Sequence, residues 1–164
     1  MPCGWLSAAD LNAWRVRYDL AKPQPFAPLP ELQGWQRCYS SDLQRSLLTA
    51  EAIYSGEVLH TPLLREPDIA PFQTGRLQLP VSIWKWVLRA VWFTGHSSQR
   101  SARNDFLHRV KTVADLAESS TVDILLVSHA GMMAYLRKEL LQRGFQGPKF
   151  RIAEHAKLYV FERT

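Results

Sequence analysis

The sequence predicts an α/β fold: a mostly parallel sheet with helices on both faces. Three observations predict it. Short β-branched or aromatic runs alternate with amphipathic helical stretches, the order that puts crossover helices between parallel strands. The run Ile124-Leu125-Leu126-Val127 is apolar at consecutive positions, as a strand covered on both faces must be. Two strand-to-helix turns, one after Tyr39 and one after Val127, carry serine, arginine and histidine where such sheets present ligands.

In chain order, the first helix is predicted from Ala8 to about Ala21, capped by Ser7, with Leu11, Trp14 and Tyr18 on one face. Residues 22–30 contain Pro23, Pro25, Pro28 and Pro30 and read as an extended loop within one domain. Arg37 to Tyr39 is a short strand candidate. Ser41 and Gln44 are spaced for a capping box at the start of the next helix. That helix carries Leu43, Leu47, Ala50 and Ile53 on one side, with Gly56 as its stop. Val58 to Leu64 is a strand that Pro62 assigns to a sheet edge.

The stretch from Ile83 to Phe93 is a helix with Trp84, Leu88, Val91 and Trp92 on one face, ended by Gly95. A longer helix over Ala102 to Glu118 groups Phe106, Val110, Val113 and Ala117. The buried strand around Ile124 leads directly into a helix from Gly131 to Arg143, which Gly144 stops. Leu158 to Phe161 is the last strand expected.

Composition bounds the function classes. A chain of 164 residues, 46% of them hydrophobic, suits one globular domain spanning residues 1–164. No apolar run reaches the roughly 18 residues of a membrane helix. The opening Met1-Pro2-Cys3-Gly4-Trp5 has neither a basic stretch nor an apolar core of a signal peptide. A cytoplasmic protein without membrane partners is expected. Cys3 and Cys38 form no metal-ligand spacing, so no metal and no cofactor are expected. Twenty basic against fifteen acidic residues give a net charge of +5. They are spread without a dense run, which argues against nucleic acid.

Chemistry is concentrated at three places. Arg45 lies near a helix N-terminus, where free N–H groups already favour anions, and a guanidinium there can grip a phosphate through paired hydrogen bonds. An exposed arginine paired with a carboxylate is the plainer alternative. His129, at the end of the buried strand and followed by Ala130-Gly131, faces the ligand edge; the alternative is a histidine bound to a loop carbonyl. Glu66, in Leu64-Arg65-Glu66-Pro67-Asp68, could protonate a leaving oxygen, and Asp68 competes for that role.

The segments SSDLQRSLLTAEAI, LLREPD and LLVSHAGMMAYL, in this order, resemble the histidine phosphatase superfamily, the phosphoglycerate mutase-like fold. GWLSAADLNAW, PVSIWKWVLRAVWFTG and GFQGPKFR are similar to a small bacterial branch of it. The resemblance implies that Arg45 grips phosphoryl oxygens, that His129 hydrogen-bonds the transferring phosphate, and that Glu66 is the general acid. It implies phosphomonoester hydrolysis without a metal, on a phosphorylated small molecule or a phosphoprotein.

One departure qualifies that activity. Relatives open with a strand ending in Arg-His-Gly, whose histidine attacks phosphorus; the 164 residues contain no such triplet. The expectation is a sheet lacking its first central strand and a domain incomplete at its N-terminus. Hydrolysis is then impaired, and whether the chain is an enzyme stays open. The alternative is a non-catalytic pseudo-phosphatase that acts as a phospho-ligand or protein-interaction module, with Trp84 and Trp92 as candidate interface anchors. Loss of a central strand would expose backbone groups, so a rearranged sheet or a homodimer that borrows a strand is also expected.

Overall fold

The computed structural model describes residues 4–19, 34–69 and 74–163. Its elements are β1 (Trp5–Ser7), α1 (Ala8–Asp19), β2 (Arg37–Ser41), α2 (Gln44–Ile53), β3 (Val58–Thr61), β4 (Gln78–Pro80), α3 (Val81–Phe93), α4 (Arg100–Ser119), β5 (Ile124–Val127) and α5 (Ala130–Gln142). They fall into two compact units, one of residues 1–21 and 67–106, the other of residues 22–66 and 107–164. The proline-rich segment lies outside the described residues.

In the first unit, β1 and β4 form an antiparallel pair with Leu6 opposite Leu79. Ser7 caps α1 reciprocally with Asp10: each backbone N–H donates to the other's side chain, at 3.0 and 3.2 Å. This satisfies donors that a helix start otherwise leaves free. Asp10, bound to the Ser7 hydroxyl and backbone, is held below the usual carboxylate range. Leu11 is buried and Trp14 packs with it, as the helical spacing predicts.

The core of this unit gathers Ala8, Leu11 and Trp84, with Leu6, Leu79, Val87 and Leu88 around them. The indole N–H of Trp84 donates to the Leu6 carbonyl at 2.8 Å, so even its polar atom is satisfied inside. Trp92 is buried as well and meets Phe106 edge-on, ring centres 5.8 Å apart. Trp84 and Trp92 are therefore core residues, which removes them as interface anchors. Trp86, Ile83 and Phe93 on the same helix are exposed instead. The chain leaves α3 through Gly95, whose φ of +65° suits a residue without Cβ.

The second unit is built on a parallel sheet of order β3-β2-β5. Cys38 stands opposite Val58 on one side and Leu125 on the other. Alternation along these strands divides the residues between two faces. Cys38, Val58, Leu125 and Val127 pack with Ala50 and Ile53 of α2. Tyr39, Leu59 and Leu126 face Val113 and Leu116 of α4 across an apolar cavity of about 260 Å³. Helices thus cover both faces, and β3 is an edge strand ended by Pro62, as predicted. Beyond Thr61 the chain turns into a 3-10 helix over Pro62–Leu64 rather than continuing the strand to Leu64.

The three strands pair without a gap. Neither β3 nor β5 pairs with a further strand on its outer side among the described residues. Leu158 to Phe161 does not form the strand expected of it. Leu158 packs into the core beside Cys38, and the tail's ladder contact is a single bridge between Gln146 and Glu162. Leu158, Tyr159 and Phe161 are half-buried while Val160 is exposed; pairing needs a neighbouring backbone as well. Gly56 is also not the left-handed stop foreseen for α2, because Tyr54 ends that helix in extended geometry. A Cβ on Gly56 would come within 2.8 Å of the Tyr54 ring, so close approach explains this glycine.

Candidate functional site

Two turns at the carboxyl ends of β2 and β5 carry the site, and a third loop after β3 completes it. At the first turn Ser40 and Ser41 are fully buried. The capping box predicted from Ser41 and Gln44 does not form: Leu43 occupies the cap position and no side chain caps the helix. The Ser41 hydroxyl lies 3.0 Å from His129 Nε2 instead. Arg45 is the second residue of α2, so its guanidinium starts beside the helix N-terminus, and its side chain is only 14% exposed.

At the second turn His129 occupies the cap position of α5 in extended geometry and is buried. Its Nδ1 accepts a hydrogen bond from Arg45 Nε at 3.3 Å. Its Nε2 lies within 3.0 Å of Ser41 Oγ and 3.2 Å of Ser46 Oγ. An arginine can only donate, so Nδ1 carries no proton and Nε2 bears the single one. The imidazole is neutral in this arrangement. Burial, then the Arg45 charge, push its pKa down to about 4, against a smaller opposing pull from Asp42.

Glu66 enters from the loop after β3. Its Oε1 accepts the Gly131 backbone N–H at 3.0 Å, an anion on the positive end of α5. Its Oε2 stands 3.8 Å from Arg45 Nη2 and 3.8 Å from His129 Nδ1. The preceding Arg65 forms a two-pronged pair with Asp42, both contacts at 2.6 Å. That pairing holds the Asp42 carboxyl below its usual range. The loop is therefore tied to both turns, by Arg65 to the first and by Glu66 to the second.

The structure brings Arg45, His129 and Glu66 together, the three residues singled out in the sequence. Asp68, the competing acid, is exposed. Sequence reasoning missed Ser46, Asp42 and the pairing of Arg65. Ser46 and Asp42 had a signal in their neighbourhood, since both flank Arg45 within one helical turn. Arg65 had none, because its partner is 23 residues away. Cys38 is buried in the core with its thiol pushed up to about 11, which makes it a poor nucleophile. His60, His96, His108 and His155 are exposed.

Chemically, a guanidinium, the free end of a helix and an imidazole surround one carboxylate. The guanidinium and the helix N-terminus, arranged this way, can equally hold a phosphate oxygen.

No curated protein matches the chain. Among solved structures, the native mycobacterial glucosyl-3-phosphoglycerate phosphatase is similar at 24% identity, with a TM-score of 0.46. The similarity covers 66% of this chain and 59% of that one. The model of the histidine phosphatase superfamily, branch 1, matches residues 26–164, a span that includes Arg45, Glu66 and His129. This chain belongs to the histidine phosphatase superfamily, branch 1.

Proposed function

We propose that the Arg45–His129 cluster binds the phosphoryl group of a phosphomonoester, with Glu66 as the acid that protonates the departing oxygen. The observation that carries the reading is the convergence of Arg45, His129 and the Gly131 N–H on one carboxylate. Phosphoryl transfer asks a protein for position and for positive charge on the equatorial oxygens, and these groups supply both. Glu66 is the carboxylate those groups meet, and a phosphoryl group taken up by the same donors would lie beside it, within reach of the acid.

The His129 proton balance shapes the mechanism. Nδ1 accepts from Arg45, so it has no proton to offer a phosphate. Protonating a group of pKa about 4 costs roughly 4 kcal/mol at pH 7. An arriving phosphate dianion offsets that cost by attracting the imidazolium and by drawing the Arg45 fork onto its own oxygens. Binding and proton uptake are thus coupled.

Hydrolysis needs, in addition, a nucleophile in line with the leaving oxygen. His129 Nε2 is committed to two serines and Nδ1 to Arg45, and the 164 residues hold no Arg-His-Gly triplet. That favours a second reading for the chain by itself: a domain that holds a phosphorylated small molecule or phosphoprotein with little turnover.

Calorimetry with inorganic phosphate tests the shared part. Arg45→Ala should weaken binding by about 2–3 kcal/mol, some 30- to 160-fold, the size of a lost charge-assisted pair. Equal affinity in the variant would refute the site. An aryl phosphate assay on the 164-residue chain then separates the readings: robust turnover rules out the non-catalytic one.

A further inference from the structure

The loop over Pro62–Glu66 has a hydrogen-bond pattern that its own residues do not explain. Five consecutive carbonyls each accept from a side chain outside the loop. Arg109, on α4, donates through Nη1 to the carbonyls of Pro62 (3.2 Å), Leu63 (3.4 Å) and Arg65 (2.9 Å), and through Nη2 to that of Glu66 (3.3 Å). The remaining carbonyl, Leu64, accepts from Ser128 Oγ at 2.7 Å, while the Leu64 side chain is buried. Chain segments usually satisfy their carbonyls with backbone or water; here one guanidinium gathers four of them.

The consequence falls on Glu66. Its backbone carbonyl is fixed by Arg109 and its carboxylate reaches the Gly131 N–H. The neighbouring Arg65 spans to Asp42, and Ser128, the residue before His129, holds the Leu64 carbonyl of the loop. Arg109 thus sets the height and rotation of the loop from behind, and a carboxylate at the end of a Glu side chain amplifies any backbone movement. Misplacement of about 1 Å is enough to spoil a catalytic geometry.

We propose that Arg109 is the positioning residue for Glu66: it clamps the Pro62–Glu66 carbonyls so that the carboxylate stays on the α5 N-terminus, between Arg45 and His129. The proposal takes its functional meaning from the reading of this cluster as a phosphate site, but the clamp itself can be tested without phosphate.

The probe is the Gly131 amide in an ¹⁵N-labelled sample of the 164-residue chain, followed as pH is lowered. In the native chain its proton shift should step as the acceptor carboxylate takes up a proton, because a charged acceptor makes the stronger hydrogen bond. His129, Arg45 and Asp42 also face this point, so Glu66→Gln identifies the step: it should vanish there. In Arg109→Ala the step should fall below half its native size while amides of β2 and β5 keep their positions. Arg109→Lys should fall between the two, since an ammonium offers a point charge rather than a planar fork.

A native-sized Gly131 step in Arg109→Ala would overturn the proposal. If Arg109→Ala does not fold, Arg109→Lys decides: a reduced step supports the clamp and a native-sized one overturns it. Phosphate affinity measured on the same samples keeps the two ideas apart. A clamp that depends on Arg109 in a chain that binds no phosphate leaves the positioning intact and removes the phosphate reading alone.

Discussion

The two units bury different things. Around Trp84 the first unit packs Ala8 and Leu11 with other apolar side chains, takes inside the Trp84 indole N–H on the Leu6 carbonyl, and also buries Gln99. The second unit also has an apolar core, around Cys38, Ala50, Leu125 and Val127. At one end of its sheet, however, it buries Ser40, Ser41, Ser46 and His129. Buried polar groups add little net stability and cost much when unpaired. Their concentration at strand ends, under a carboxylate and a guanidinium, is what supports the reading of a site there. The difference teaches that burial alone marks packing, while buried polarity with converging charge marks chemistry.

The largest effect should come from the packing side of this contrast. Trp84→Ala removes a fully buried indole and its bond to Leu6, at about 3–5 kcal/mol. Chemical denaturation should register that loss. Phosphate affinity of the fraction that stays folded should be close to native. A variant as stable as the parent would mean that the first unit is not held by this core.

The polar side should respond to acid. His129 has its pKa lowered to about 4 in the folded chain, against 6.5 for the free side chain. Between those values the unfolded chain takes up a proton that the folded chain refuses. Stability is therefore complete above pH 6.5 and falls as pH drops toward 4, by roughly 3 kcal/mol for this shift. Denaturation midpoints across that window should show the slope, and His129→Gln should flatten it. An equal slope in the variant would place the responsible group elsewhere. Asp42, whose carboxyl is held low by Arg65, adds its own loss at the acid end.

The smallest effect belongs to Trp86, which is 72% exposed on the same helix as Trp84. Trp86→Ala should change stability by no more than about 0.5 kcal/mol. A loss as large as that of Trp84→Ala would show that helical spacing had been read on the wrong face.

The legible parts of the molecule were those written in local pattern. Four apolar residues in a row announced β5, and Gly144, at φ +87°, announced the end of α5. The turns that carry Arg45 and His129 were legible because a strand end followed by serine or histidine is a short, contiguous signal. What escaped was set by partners distant in sequence. The three-residue strands β1 and β4 exist through each other, 73 residues apart by their first residues, and neither has an alternating pattern. Ser41 looked like a helix cap because its competing partner, His129, lies 88 residues on. Arg109 looked like an ordinary helical arginine, since the carbonyls it collects belong to another segment and carry no side-chain signature.

The account rests on Arg45, His129 and the start of α5 sharing a single anion. Its most direct test is the pKa of His129, followed by NMR of the imidazole with and without saturating inorganic phosphate. The account predicts a value near 4 in the free chain and a rise of at least one unit when phosphate is bound, as proton uptake accompanies the anion. Phosphate binding that leaves the His129 titration unmoved would contradict it.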